Sequence, residues 1–199
     1  MKFTNARIIQ ITTYLLLALV ATHALYFIFR TAEIPVPRQI LWGLECLLSA
    51  ILAAFAGAAM VQSKNYHLGW SAIAFSAVFN VMQASIGVTM FGPFRQAARQ
   101  LEELAPAAGA VVALSFMTYY AAKLLLGFAA LIFGLAKMSQ GSRALGGLTA
   151  LVGGIAMLAN TVLITFGRDA FLPSGVAGGS GVFATLLLAF CLISFARDE

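Results

Sequence analysis

Two ionisable residues, Glu45 and Lys123, sit inside apolar runs, the first in LWGLECLL and the second in TYYAAKLLLG. A full charge within hydrocarbon costs roughly 2.5–3.5 kcal/mol on insertion scales, so such residues turn toward a partner, a wet cavity or a solute path. His23, Asn80, Gln83, Tyr119 and Asn160 join them, each a polar side chain in an apolar stretch that offers it no hydrogen-bond partner. Asn80 and Gln83 are three apart and Tyr119 and Lys123 four apart, so each pair shares one helix face. These types support two kinds of chemistry. Glu45 and Lys123 can balance each other or a bound solute while the amides orient it, or acid and amine can exchange a proton.

Other chemistries fit the residues less well. A two-histidine haem site needs both ligands at one depth, whereas His23 and His67 belong to opposite ends of their spans. No HExxH or carboxylate cluster marks a metal, and no GxSxG-like elbow marks Ser85 or Ser115 as a nucleophile for His23 and Glu45. A retinal Schiff base at Lys123 would need a seventh span and a lysine in the last one. Cys46 and Cys191 form no CxxC and read as small buried hydrophobes. An integral membrane enzyme is thus a third-ranked reading, and no cofactor is specified.

The elements that carry these groups follow from the composition. The chain has 199 residues, of which 61% are hydrophobic and only 10% charged, with a mean hydropathy of +0.93. That is more apolar surface than one soluble core of this size can hide, so the solvent for most of it is lipid. The net charge of +5 is scattered singly between apolar spans, which reads as topogenic and excludes a nucleic-acid partner.

With about 20 apolar residues needed per crossing, spans are predicted near 8–29, 39–62, 68–91, 107–136, 145–167 and 178–196. The expectation is an all-α integral membrane protein: one domain over 1–199, a bundle of six transmembrane helices. Lys2 and Arg7 followed by IIQITTYLLLALVATHA resemble a signal peptide ending at Ala24, but the apolar run continues through Phe29, which predicts a retained first span. Lys2, Lys64 and Lys137 fall on one side and Glu33, Glu102, Glu103 and Asp169 on the other. This predicts an inner-membrane protein with both termini in the cytoplasm.

In FGPFRQAARQLEELAPAAG, Phe94, Ala97, Ala98, Leu101 and Leu104 share one face and the charged residues the other. An interfacial amphipathic helix over 93–104 is expected, connecting spans three and four. Small residues recur at helical spacing as Gly146, Ala150, Gly153 and Ala156, and as Ala50, Ala54 and Ala58. They predict close helix packing, within the chain, against other membrane subunits or in a homo-oligomer. The Gly-rich PSGVAGGSG from Pro173 to Gly181 reads first as a linker, with a mobile outer loop or a broken entry to the last helix as alternatives.

Counted from the ends facing loops one, three and five, His23, Glu45 and Asn160 lie at roughly 9 to 11 Å, Asn80 and Gln83 at roughly 12 to 17 Å, Tyr119 at roughly 18 Å and Lys123 at roughly 24 Å. Five helices therefore contribute polar groups to one half of the bilayer. Length and span count are similar to the substrate-binding subunits of energy-coupling-factor vitamin transporters. The alanines at i and i+4 of that family's first span are absent, since Ala18, Ala21 and Ala24 are spaced by three, and no residue role is transferred. The expected function is binding or transport of a small amphipathic molecule in a pocket lined by Glu45, Lys123, Asn80, Gln83, Tyr119, His23 and Asn160. The alternative is a structural or assembly subunit of a larger membrane complex.

Overall fold

The computed structural model describes residues 4–167 and 172–198. Lys2 and Asp169, assigned above to opposite sides, lie outside them. The described chain is helical and contains no strand. Its elements are α1 Asn5–Thr31, α2 Arg38–Gln62, α3 His67–Thr89, α4 Phe91–Gln100, a 3-10 turn Glu102–Leu104, α5 Ala105–Ser139, α6 Arg143–Phe166 and α7 Ser174–Asp198. Six of these helices are long and apolar enough to cross a membrane. Their outward side chains, among them Leu44, Leu47, Phe75, Leu151 and Leu158, are exposed hydrophobics, a surface suited to lipid and not to water.

Local chemistry explains where the helices stop. Thr4 caps α1, its hydroxyl oxygen accepting from the Arg7 amide at 3.4 Å. Pro35 and Pro37 then end the helical path, and Pro37 stands at the N-cap of α2. Tyr66 opens α3 from the left-handed region at φ 64, a conformation uncommon for an aromatic residue. Its ring packs against Phe133 and Phe195, with centroids 5.8 and 5.6 Å away, which holds that turn. Gly141 at φ 96 reverses the chain between α5 and α6.

Helix α4 is shorter than the 93–104 expected, because Leu101 takes an extended conformation and the 3-10 turn follows. Phe94, Ala97 and Ala98 are half-buried, in an element that contacts α3 and α5, while Leu101 and Leu104 remain exposed. Trp42 on α2 meets the Phe91 ring edge-on at 5.4 Å, tying α4 to the start of α2.

The packing order is α1 on α2, α2 on α3, α3 on α5, α5 on α7 and α7 back on α1, with α6 outside against α5 and α7. Leu16, Leu52, Ile73, Leu126 and Leu188 place one buried residue from each of the five ring helices in a shared apolar core. The closest approach is α5 to α6. A Cβ on Gly153 would stand 2.6 Å from the Gly127 carbonyl oxygen, and one on Gly146 would stand 2.6 Å from that of Gly134. The Gly146–Gly153 ridge is therefore consumed within the chain. Ala50 and Ala54 instead face outward on α2.

The largest departure from expectation is at α7. PSGVAGGSG is no linker: the helix begins at Ser174 and includes all four of that stretch's glycines. Glycine lowers helix propensity in water, but here Gly178 and Gly181 give room to side chains of α5 that a Cβ would displace. That room belongs to the site.

Candidate functional site

Each ring helix brings a polar group to one region of the interior. Helix α1 supplies Thr22 and His23, α2 Glu45, α3 Asn80, α5 Tyr119 and Lys123, and α7 Thr185. Most are deeply buried: Lys123 is 2% exposed, Asn80 5% and Glu45 7%.

His23 Nδ1 stands 3.6 Å from Glu45 Oε1. That distance is too long for a hydrogen bond, and the same nitrogen lies 2.8 Å from the Leu19 carbonyl one turn back. The imidazole therefore donates from Nδ1 to its own helix while facing the carboxyl group of α2. Thr22, also on α1, borders Glu45, while its hydroxyl donates to the Leu19 carbonyl at 2.9 Å.

Lys123 interacts electrostatically with both Glu45 and His23, without a direct ion pair to either. Its Nζ lies 5.2 Å from the centroid of the Tyr119 ring, a cation–π contact, and that ring is 6.1 Å from the imidazole of His23. The aliphatic stem of Lys123 crosses α7 at Gly181, where an added Cβ would come within 2.8 Å of its Cβ. Gly178 likewise faces the Tyr119 hydroxyl, 3.1 Å from the position of an added Cβ. The two glycines are the reason α5 can turn its polar face onto α7.

A small cavity of about 10 Å³ lies here, with His23, Asn80, Lys123 and Thr185 as its polar walls and Leu19 and Leu126 among the apolar ones. The Asn80 side-chain oxygen is buried and accepts no hydrogen bond among the described residues. The Thr185 hydroxyl donates to the Gly181 carbonyl at 2.7 Å. Nearby, the Ser76 hydroxyl donates to the Ala122 carbonyl at 2.8 Å, fixing α3 against α5 next to Lys123.

Of the seven residues expected in the pocket, the structure brings together His23, Glu45, Asn80, Tyr119 and Lys123. Asn160 lies elsewhere. It is 0% exposed and its amide donates to the carbonyls of Ala156, at 2.8 Å, and Ala177, at 3.2 Å, so it joins α6 to the first turns of α7. Gln83 is half-buried, lies outside the cavity wall and makes no side-chain hydrogen bond among the described residues. Depth counting also overstated the separation of Lys123 from Glu45. Helix α5 has 35 residues, about 52 Å at 1.5 Å per residue, so its first turns lie beyond a core about 30 Å thick.

Thr22, Thr185, Gly178 and Gly181 were missed in the sequence. A threonine beside His23 and glycines at i and i+3 at the start of an apolar run were the available signals. Among the described residues, no group of three His, Cys, Asp or Glu side chains comes together as metal ligands.

The fold and the site define a class: an all-helical, multi-pass membrane protein with an acid, an imidazole and an amine gathered between its helices. No protein-family model, curated protein or solved structure matches the chain.

Proposed function

We propose that this protein binds a small polar solute, the proton included, at the Glu45–His23–Lys123 cluster and passes it across the membrane. The observation that carries this reading is the convergence of five helices, each contributing a polar group, on an acid–imidazole contact of 3.6 Å with a buried lysine beside it. Interhelical glue rarely needs full charges, which cost several kcal/mol each to bury unless paired. In this reading Glu45 and Lys123 hold the solute's charge, while Asn80 and Tyr119 orient it.

The cavity narrows the class of solute. About 10 Å³ admits one water-sized group, so an amphipathic molecule would enter only if α1 and α2 parted from α5 and α7. The six long helices form the transmembrane bundle, α4 lies at the interface on the side of loops one and three, and both termini face the cytoplasm of an inner membrane.

A thermal-stability series on the purified protein tests the reading with sodium, potassium, ammonium, chloride and acetate ions over a range of pH. At least one condition should raise Tm in the wild type and fail to do so in Glu45→Gln and Lys123→Met. Indifference of the wild type to all of them, or an equal response in folded variants, would overturn it.

A second reading, an assembly subunit, draws support from the outward Ala50 and Ala54 on α2. It predicts a co-purifying membrane partner that is lost on Ala54→Phe.

A further inference from the structure

The cluster leaves three groups unmatched around one cavity. The Asn80 side-chain oxygen is buried and accepts nothing among the described residues. The Lys123 ammonium carries three N–H donors, yet among the described residues it makes no hydrogen bond or ion pair and has the Tyr119 ring centroid 5.2 Å away. His23 commits Nδ1 to the Leu19 carbonyl, so Nε2 carries the lone pair and accepts no hydrogen bond among the described residues. Asn80, Lys123 and His23 all wall the same cavity, whose volume of about 10 Å³ corresponds to one water.

A single water closes this account. It would accept from a Lys123 N–H and donate one hydrogen to Asn80 Oδ1 and the other to His23 Nε2. Three hydrogen bonds are the usual number for a buried water. A buried acceptor left unmatched costs about 1–3 kcal/mol, which is the driving force for occupancy. A chloride ion fits less well, because it could not donate to Asn80 Oδ1 or to Nε2 and would have Glu45 nearby.

We infer that this cavity is a single-water site and that its water joins Lys123 to Glu45 through His23 as a proton relay. The inference rests on the proposed function and narrows its solute to the proton. The step balances as follows. The Lys123 ammonium gives a proton to the water as the water gives one of its own to His23 Nε2, leaving an amine and an imidazolium. The imidazolium then swings from Leu19 across the 3.6 Å gap and releases its Nδ1 proton to Glu45 Oε1. Ammonium and carboxylate become amine and carboxylic acid; His23 ends neutral with its proton on Nε2, and the water is regenerated.

The ionisable groups facing Lys123 are His23 from α1, Glu45 from α2 and Tyr119 from its own helix. Helices α3 and α7 present Asn80 and Thr185, which do not ionise at this site. Asn80 thus positions the water and does not exchange protons. Leu19, Val20, Leu126 and Val182 complete the wall with apolar side chains.

The test is nitrogen-15 NMR of histidine-labelled protein in micelles. The sequence has two histidines, and His67→Gln leaves His23 alone; the wild type, with both signals resolved, serves where that variant does not fold. A cross-peak from bound water to the His23 ring is expected, together with an Nε2 signal of the hydrogen-bonded acceptor type. Both should be lost in Lys123→Met, and in Asn80→Leu the Nε2 signal should move toward the free-acceptor position. A wild-type spectrum without the water contact overturns the inference, as does an Nε2 signal unmoved in both variants. Either result leaves the broader binding reading to stand on its solute-dependent Tm. A water contact without any such Tm response would overturn that broader reading instead.

Discussion

Substituting Gly153 by alanine adds one methyl group where α5 and α6 approach most closely. The new Cβ would lie 2.6 Å from the Gly127 carbonyl oxygen and 2.7 Å from the Leu131 amide nitrogen, both backbone atoms that no rotamer change can move. Ordinary van der Waals contact begins at 3.4 Å, so the helices must part by 3.4 − 2.6 = 0.8 Å. A gap of about 0.5–1 Å forfeits a quarter to a half of each dispersion well along the crossing. Overpacking of this kind costs about 1–3 kcal/mol. The neighbouring Gly154 supplies the control, since an added Cβ there meets nothing within 4 Å. Thermal unfolding in detergent, followed by tryptophan fluorescence, should show Gly153→Ala destabilised by about 2 kcal/mol, with Gly154→Ala unchanged or more stable. Gly127→Ala should behave like Gly153→Ala. The double variant should lose less than the sum, because one separation relieves both clashes. Equal stability of Gly153→Ala and Gly154→Ala would refute the assignment of this crossing.

Asn160→Leu removes the amide that bridges to the Ala177 carbonyl; a loss of about 1–3 kcal/mol and faster hydrogen exchange at the start of α7 are expected, and unchanged exchange there would count against the bridge. Glu45→Gln and Lys123→Met should each destabilise the fold, by less than the about 3–5 kcal/mol lost when a direct buried ion pair is broken, since the two charges interact without contact; a double-mutant cycle in denaturant should show the pair losing less than the sum, and strict additivity would mean the charges are independent. Trp42→Ala removes the ring that contacts Phe91 and lies 6.0 Å from the Arg38 guanidinium. Limited proteolysis should then cut within Phe91–Gln100 more readily than in the wild type, and an unaltered pattern would detach α4 from α2.

The membrane character was legible because hydropathy is a bulk property: six apolar runs about 20 residues long leave few other solutions. Individual charges within such runs were equally legible, which is how Glu45 and Lys123 stood out. Azimuth was not. Asn160 shares the counted depth of Glu45, but α6 packs outside the ring and turns its amide to α7. The glycines between Pro173 and Gly181 suggested a linker because glycine weakens a helix in water, whereas between packed helices it permits close approach. Which helix fills a small-residue ridge depends on long-range pairing. The ridge at Gly146 and Gly153 met α5 within the chain, and nothing local to α6 specified that partner.

The central claim is that the buried acid–imidazole–amine cluster is the working site of the protein. Its most direct test is proton movement in vesicles reconstituted with purified protein and loaded with a pH-sensitive dye, after an external pH jump. Wild-type vesicles should dissipate the gradient faster than protein-free vesicles, and Glu45→Gln, inserted to the same level, should fall to the protein-free rate. A wild-type rate equal to that of empty vesicles, or a folded Glu45→Gln as fast as wild type, would contradict the account.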